Sequence, residues 1–221
     1  LALKELTTDR IKLNRMDARK LQYVKQPASL FAEYNIVMLS YKEDIQLVEQ
    51  RIQRIQEQTN STVIHVRGVE GIFEAHKAAA GKVSSSMFWV VDADADIKED
   101  FDFSYIPDAY DHEVVHVWAS ENPITGMEYG YGGVKLFNTQ QVLDATSWGL
   151  DFTTGLSNRF KSMPQVSCVT RFNTDPYSTW RSAFRECVKL CMNTDSESKQ
   201  RLEAWLNPIA DSKFAQEARL G

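Results

Sequence analysis

The sequence predicts an α/β fold, a mostly parallel sheet flanked by helices, and three observations predict it. Short, strongly apolar segments of strand length recur at 34–40, 62–66 and 87–91. Amphipathic segments of helix length separate them. The last strand runs straight into Asp92-Ala-Asp-Ala-Asp96. Strands apolar on both faces belong in a sheet covered by helices, and such sheets place ligands at the carboxyl ends of their strands.

Residues 1–27 are polar, with Ile11, Leu13, Met16, Leu21 and Val24 in a weak helical pattern that ends at Pro27. They read as an arm or linker ahead of one domain over 28–221. Tyr34–Ser40 is a buried strand bounded by polar residues. Residues 43–58 follow as a helix, because Ile45, Val48, Ile52 and Ile55 recur at spacings of three and four with charge elsewhere. Thr62–Val66 is the second strand, Gly68 and Gly71 mark a turn, and 72–82 is an Ala-rich helix. Met87–Val91 is the third strand. Beyond the acidic run, strands are expected at 114–118, 133–137 and 166–172, with helices near 139–146, 178–192 and 197–206. In the helix over 178–192, Trp180, Phe184 and Val188 read as a core stripe, and Arg181 and Arg185 share a neighbouring face. Gly130, Gly132 and Gly133 permit close backbone approach or positive φ.

Of 221 residues, 43% are apolar and 25% charged, which excludes a disordered or collagenous chain and suffices for a full core. The longest strongly apolar run, Met87–Val91, is far short of the ~20 residues a membrane helix needs. The opening LALKELTTDR is too charged for a secretory signal, and its lack of an initiating Met leaves room for a longer polypeptide upstream. Cys168, Cys187 and Cys191 have no CxxC spacing, which argues against a disulfide scaffold or zinc cluster and for a reducing, cytoplasmic setting. The net charge of −5 is uneven: +4 over 1–27, −12 over 28–158, +4 over 159–201 and −1 beyond. An acidic centre with basic flanks suits a metal site beside surfaces that tolerate polyanions, and unevenly charged solvated surface explains it as well.

The acidic run is the candidate site. While a backbone stays extended, alternate side chains share a face, so Asp92, Asp94 and Asp96 would crowd together. A divalent cation with a taste for hard oxygen ligands, Mg²⁺ or Mn²⁺, is the usual compensation; a solvated acidic loop is the plain alternative. An EF-hand loop starting at Asp92 would need Gly and Glu where Ile97 and Phe103 stand. A phosphatase of the haloacid dehalogenase type carries Thr or Val where Asp96 stands, and its Asp follows the first strand of the domain. His112 and His116, four apart in a strand, lie ~13 Å from each other and make no metal pair.

What remains resembles the Asp-x-Asp motif of family 2-like nucleotide-sugar glycosyltransferases of the GT-A fold. The residues that carry the resemblance span 34–105. They are Ile36–Leu39 followed by Ser40-Tyr41, then Gly71-Ile-Phe-Glu-Ala75-His76-Lys77, then Phe88-Trp-Val-Val-Asp92-Ala-Asp94. His76-Lys77 stand where the family usually has Arg-Asn. Beyond Asp96, Asn122-Pro123, Tyr129–Phe137 and Asn173–Cys187 are similar to glycosyltransferase-like proteins of tailed phages.

This resemblance implies a nucleotide-sugar donor, Mn²⁺ or Mg²⁺ as cofactor, and transfer with inversion to an acceptor hydroxyl on DNA, a polysaccharide or a protein. A hydroxymethylated base of phage DNA is among those acceptors. It makes Asp92 the nucleotide-side carboxylate, Asp94 the principal metal ligand and Asp96 a helper. Ser40, Tyr41 and Glu43 fall where the family holds the nucleoside, and Lys77 and Arg181 are candidate phosphate contacts. Asp151 is the best positional match for the base that takes the acceptor's proton, or else a helix N-cap; Asp175 is second. Two other readings stand: a nucleotidyltransferase, against which Ser40–Asp44 has no glycine, and a catalytically silent binding module.

Overall fold

The computed structural model describes residues 32–130, 132–146, 152–157, 159–207 and 212–221. The expected arm at 1–27 lies outside them, and so does Asp151. The first half follows the predicted alternation: β1 (Asn35–Ser40), α1 (Ile45–Thr59), β2 (Val63–Arg67), α2 (Ile72–Ala80) and β3 (Met87–Asp92). Asp44 caps α1, its Oδ1 accepting from the amides of Gln46 and Leu47 at 2.8 and 3.1 Å. Asn60, in the left-handed region at φ 50°, ends it. The buried face of α1 is Val48, Arg51, Ile55 and Thr59, so a charged residue stands on the stripe where an apolar one is expected.

After β3 come β4 (Ala95–Ile97), β5 (Val115–Glu121), β6 (Glu128–Tyr129), β7 (Val134–Asn138), α3 (Thr139–Asp144), α4 (Phe152–Leu156) and β8 (Phe160–Thr170). Three helices close the chain: α5 (Pro176–Cys191), α6 (Ser196–Leu206) and α7 (Ala215–Leu220). No described helix is long and apolar enough to cross a membrane.

The α/β expectation holds, with one correction to its sheet, which is mixed. The order is β2-β1-β3-β7-β5-β8-β4, with β6 on β5. β1 pairs in parallel with β2 and β3, and β5 with β8, whereas β7 is antiparallel to both β3 and β5. The cause is the short link between β5 and β7. Parallel strands need a crossover, usually a helix; here the chain makes a turn at Asn122–Gly126 and a hairpin with β6.

Two residues join β3 to β4, yet four places separate them in the sheet. With strands ~4.8 Å apart a flat sheet would hold them ~19 Å from each other, so the sheet curls until its far edge meets the end of β3. The amide of Arg171 donates to Asp94 O at 2.7 Å and that of Ala93 to Leu39 O at 2.9 Å, closing the gap. Trp89, Trp118, Phe101 and Phe103 fill the inside of the curl, with the two indole centroids 4.6 Å apart. The other face packs Val37, Phe88, Val90 and Phe137 against α2 and α3.

β8 begins at Phe160, ahead of the strand expected at 166–172, and runs through Pro164. The pairing jumps from Trp118↔Met163 to Ala119↔Val166, and Pro164 sits in that bulge, where no ladder amide is required. The stripe on α5 is a second correction. Trp180, Phe184 and Val188 are 37%, 48% and 47% exposed, and Thr179, Ala183 and Leu190 are buried instead. Close packing of α7 selects the small residues: a Cβ on Gly221 would lie 3.0 Å from Ala183 Cβ and against the Trp180 carbonyl.

Candidate functional site

β1 and β3 end side by side, Leu39 beside Asp92, which brings the Ser40 loop to the acidic run. The run is not extended. Ala93 and Asp94 form a turn and the chain resumes as β4 at Ala95, so the three aspartates reach different surroundings.

Asp92 accepts from Lys135 Nζ at 2.9 Å, the lysine side chain being 11% exposed and the aspartate's 37%. Lys135 is the second residue of β7, and Gly132 makes room for it. That glycine is at φ +82°, and a Cβ there would meet Lys135 Cε at 2.9 Å. Gly133 is needed too: its carbonyl accepts from the Asp92 amide at 2.9 Å, and a Cβ would fall 2.6 Å from Cys168 Sγ. The glycine cluster thus shapes the wall beside the carboxylates.

Asp94 has no cation in contact among the described residues. Burial, and then the neighbouring Asp92 charge, push its carboxyl up to about 7, against a smaller pull from Lys135; Glu43 adds to the rise. Asp94 and Lys135 line a cavity of about 530 Å³, and so do Arg185, Lys189, Arg201 and Glu186, the last two paired at 2.6 Å. Tyr129, also lining it, lies under Arg201, whose guanidinium carbon is 3.9 Å from the ring centroid. Burial first, and Glu186 next, push its phenol up to about 12.

Asp96 stands apart. Its carboxylate meets Arg54 at 3.1 Å and Arg171 at 3.4 Å, on the side facing α1. Among the described residues no three His, Cys, Asp or Glu side chains are placed to hold a metal. The expected triad is therefore corrected: the turn at Ala93–Asp94 breaks the alternation and arginines take the third carboxylate. Asp92 and Asp94 still fit Mg²⁺ or Mn²⁺, which are held through one or two carboxylates with phosphates and waters completing the shell.

The other predicted residues divide. Ser40 Oγ is 2.8 Å from His65 Nε2, and Glu43 accepts from the Tyr41 amide at 2.6 Å, so this loop is ordered at the mouth of the β1–β3 edge. Lys77 is committed elsewhere: its ammonium donates to Ala145 O at 2.7 Å, at the end of α3. Arg181 is exposed, and Arg185, one turn on, is the α5 arginine on the cavity that Asp94 lines. Asp175 caps α5, accepting from the Ser178 amide at 2.9 Å and its hydroxyl at 2.6 Å, bonds that hold its carboxyl below the ordinary range. Sequence reasoning missed Lys135. Its signal was a lysine inside the apolar strand Val134–Phe137, a position that demands a carboxylate partner.

No protein-family model matches the sequence, and no curated protein matches it, so the narrower likeness to phage proteins gains no support. Solved structures do share its outline. The mannosyltransferase PcManGT from Pyrobaculum calidifontis, in complex with GDP-Man and Mn²⁺, covers 98% of this chain and 83% of its own at 15% identity and TM-score 0.43. HddC from Yersinia pseudotuberculosis, complexed with GMP-PN, covers 61% and 91% at 13% identity and TM-score 0.42. The bifunctional IspDF from Campylobacter jejuni covers 65% and 53% at 11% identity and TM-score 0.43. Likeness at this level says nothing about the chemistry of this chain.

Proposed function

We propose that this chain is a metal-dependent, inverting glycosyltransferase that moves a sugar from a nucleotide-sugar donor to an acceptor hydroxyl. The observation that supports it is the placement of Asp94. A carboxylate without its own counter-ion sits beside a second carboxylate at the ends of β1 and β3, on a cavity that Arg185 and Lys189 also line. Asp92 and Asp94 would hold the cation, which when bound neutralises charge on the donor's diphosphate.

The chain's own residues supply the rest. Ser40, Tyr41 and Glu43 hold the nucleoside side, and Lys135, already at the carboxylates, faces the donor phosphates. Asp151 accepts the acceptor's proton. The acceptor oxygen forms its bond to the sugar carbon as that carbon's bond to the phosphate oxygen breaks, and the nucleoside diphosphate leaves with the electron pair. Asp151 is preferred to Asp175 because it precedes Thr153, a cavity residue, while both oxygens of Asp175 are taken up in capping. On the sequence resemblance the acceptor is DNA, a hydroxymethylated base included, a polysaccharide or a protein.

The test is product analysis with candidate donors and Mn²⁺. Release of nucleoside diphosphate supports glycosyl transfer; pyrophosphate would mean nucleotidyl transfer, and neither product a silent binding module. For Asp151→Asn we expect unchanged donor affinity and transfer slower by about 10²–10⁴-fold; full turnover would remove it as the base.

A further inference from the structure

Arg51 occupies the buried face of α1 and is 8% exposed. Its Nη1 donates to Ala93 O at 2.6 Å, in the turn between the two carboxylates, while its Nε has no partner. No described carboxylate stands within ion-pairing distance of it; Asp96 and Asp94 act on it from farther away, and Asp96 is already held by Arg54 and Arg171. A buried charge normally requires a partner, and burial lowers the pKa of this guanidinium.

Beside Arg51 lies a cavity of about 560 Å³, separate from the one that Asp94 lines. Its described lining includes Arg51, Arg171, Lys213, Asn173 and Thr174 and no acidic side chain. Arg171 is tied to the same turn, its amide donating to Asp94 O at 2.7 Å, and its guanidinium makes only a 3.4 Å contact with Asp96. Lys213 is exposed at the rim.

We propose that this cavity is an oxyanion site in which Arg51, Arg171 and Lys213 take a phosphate group of a substrate. Calling the anion a substrate's rests on the glycosyltransferase reading; the binding itself does not. Three cations line it, one of them buried and without a carboxylate partner, and planar guanidinium groups match phosphate oxygens well. Arg51 and Arg171 both bond carbonyls of the carboxylate turn, so that turn would adjoin a cation site and an anion site.

The test is calorimetry with inorganic pyrophosphate and with inorganic phosphate, in chelator and without divalent ions, on the full chain. Binding to the wild type is expected, weakened about tenfold or more in Arg51→Met, the loss of a hydrogen bond to a charged group. Lys213→Gln, a rim change that leaves the core untouched, should weaken it about two- to fivefold. Asp94→Asn should retain it, which separates this site from the proposed metal site. No binding to the wild type, or full affinity in both Arg51→Met and Lys213→Gln, would overturn the proposal. A competition arm then identifies the source. Displacement of pyrophosphate by a nucleoside diphosphate assigns the site to the donor, and simultaneous binding assigns it to the acceptor.

Discussion

The two flanks of one short turn treat the same side chain in opposite ways. On one flank Asp94 is half-buried, without a cation in contact among the described residues, beside the paired Asp92 and Lys135. On the other, Asp96 lies between two half-exposed arginines. Asp96, electrostatically satisfied, has little left to offer a cation. Asp94, unsatisfied, is the carboxylate arranged for one, as expected where folding stability is given up for binding.

That contrast can be broken by substitution. The largest effect is expected at Asp92. Asp92→Ala strands the buried Lys135 ammonium, and urea denaturation should record a loss of about 3 kcal/mol. Asp94→Asn should act in the opposite sense. Burial pushes the folded carboxyl up to about 7, far above the ordinary carboxylate range, so in the wild type stability is greatest below the unfolded pKa and falls as pH rises from there towards 7. Asparagine removes that dependence, and melts should show a gain of about 2 kcal/mol at pH 8 that vanishes near pH 4. Asp96→Ala should be the mildest, within about 1 kcal/mol, because exposed arginines return to water. Equal losses at Asp92 and Asp96 would erase the distinction between the flanks.

Much of this arrangement was legible in the sequence where local patterns decide. The β1–α1–β2–α2–β3 half follows apolar periodicity, and the Asp-Ala-Asp run marks the strand end that carries the candidate site. What escaped was set by tertiary geometry. Nothing local says that two residues suffice to carry the chain from β3 to the far edge of a curled sheet, and that curl hands Asp96 to Arg54 and Arg171. The α5 stripe failed similarly, since helix periodicity names two faces and packing by Ala183, Ala218 and Gly221 chooses the smaller one. Lys135 and Arg51 were readable in principle, as cations in positions that the surrounding pattern reserves for apolar residues.

The most direct measurement is calorimetric titration of a nucleoside diphosphate with Mn²⁺ into wild type, Asp94→Asn and Asp96→Asn. The account predicts Mn²⁺-dependent binding that Asp94→Asn loses and Asp96→Asn keeps to within about threefold, the scale of an exposed ion pair. Equal Mn²⁺-dependent affinity in wild type and Asp94→Asn, or loss in Asp96→Asn alone, would contradict it.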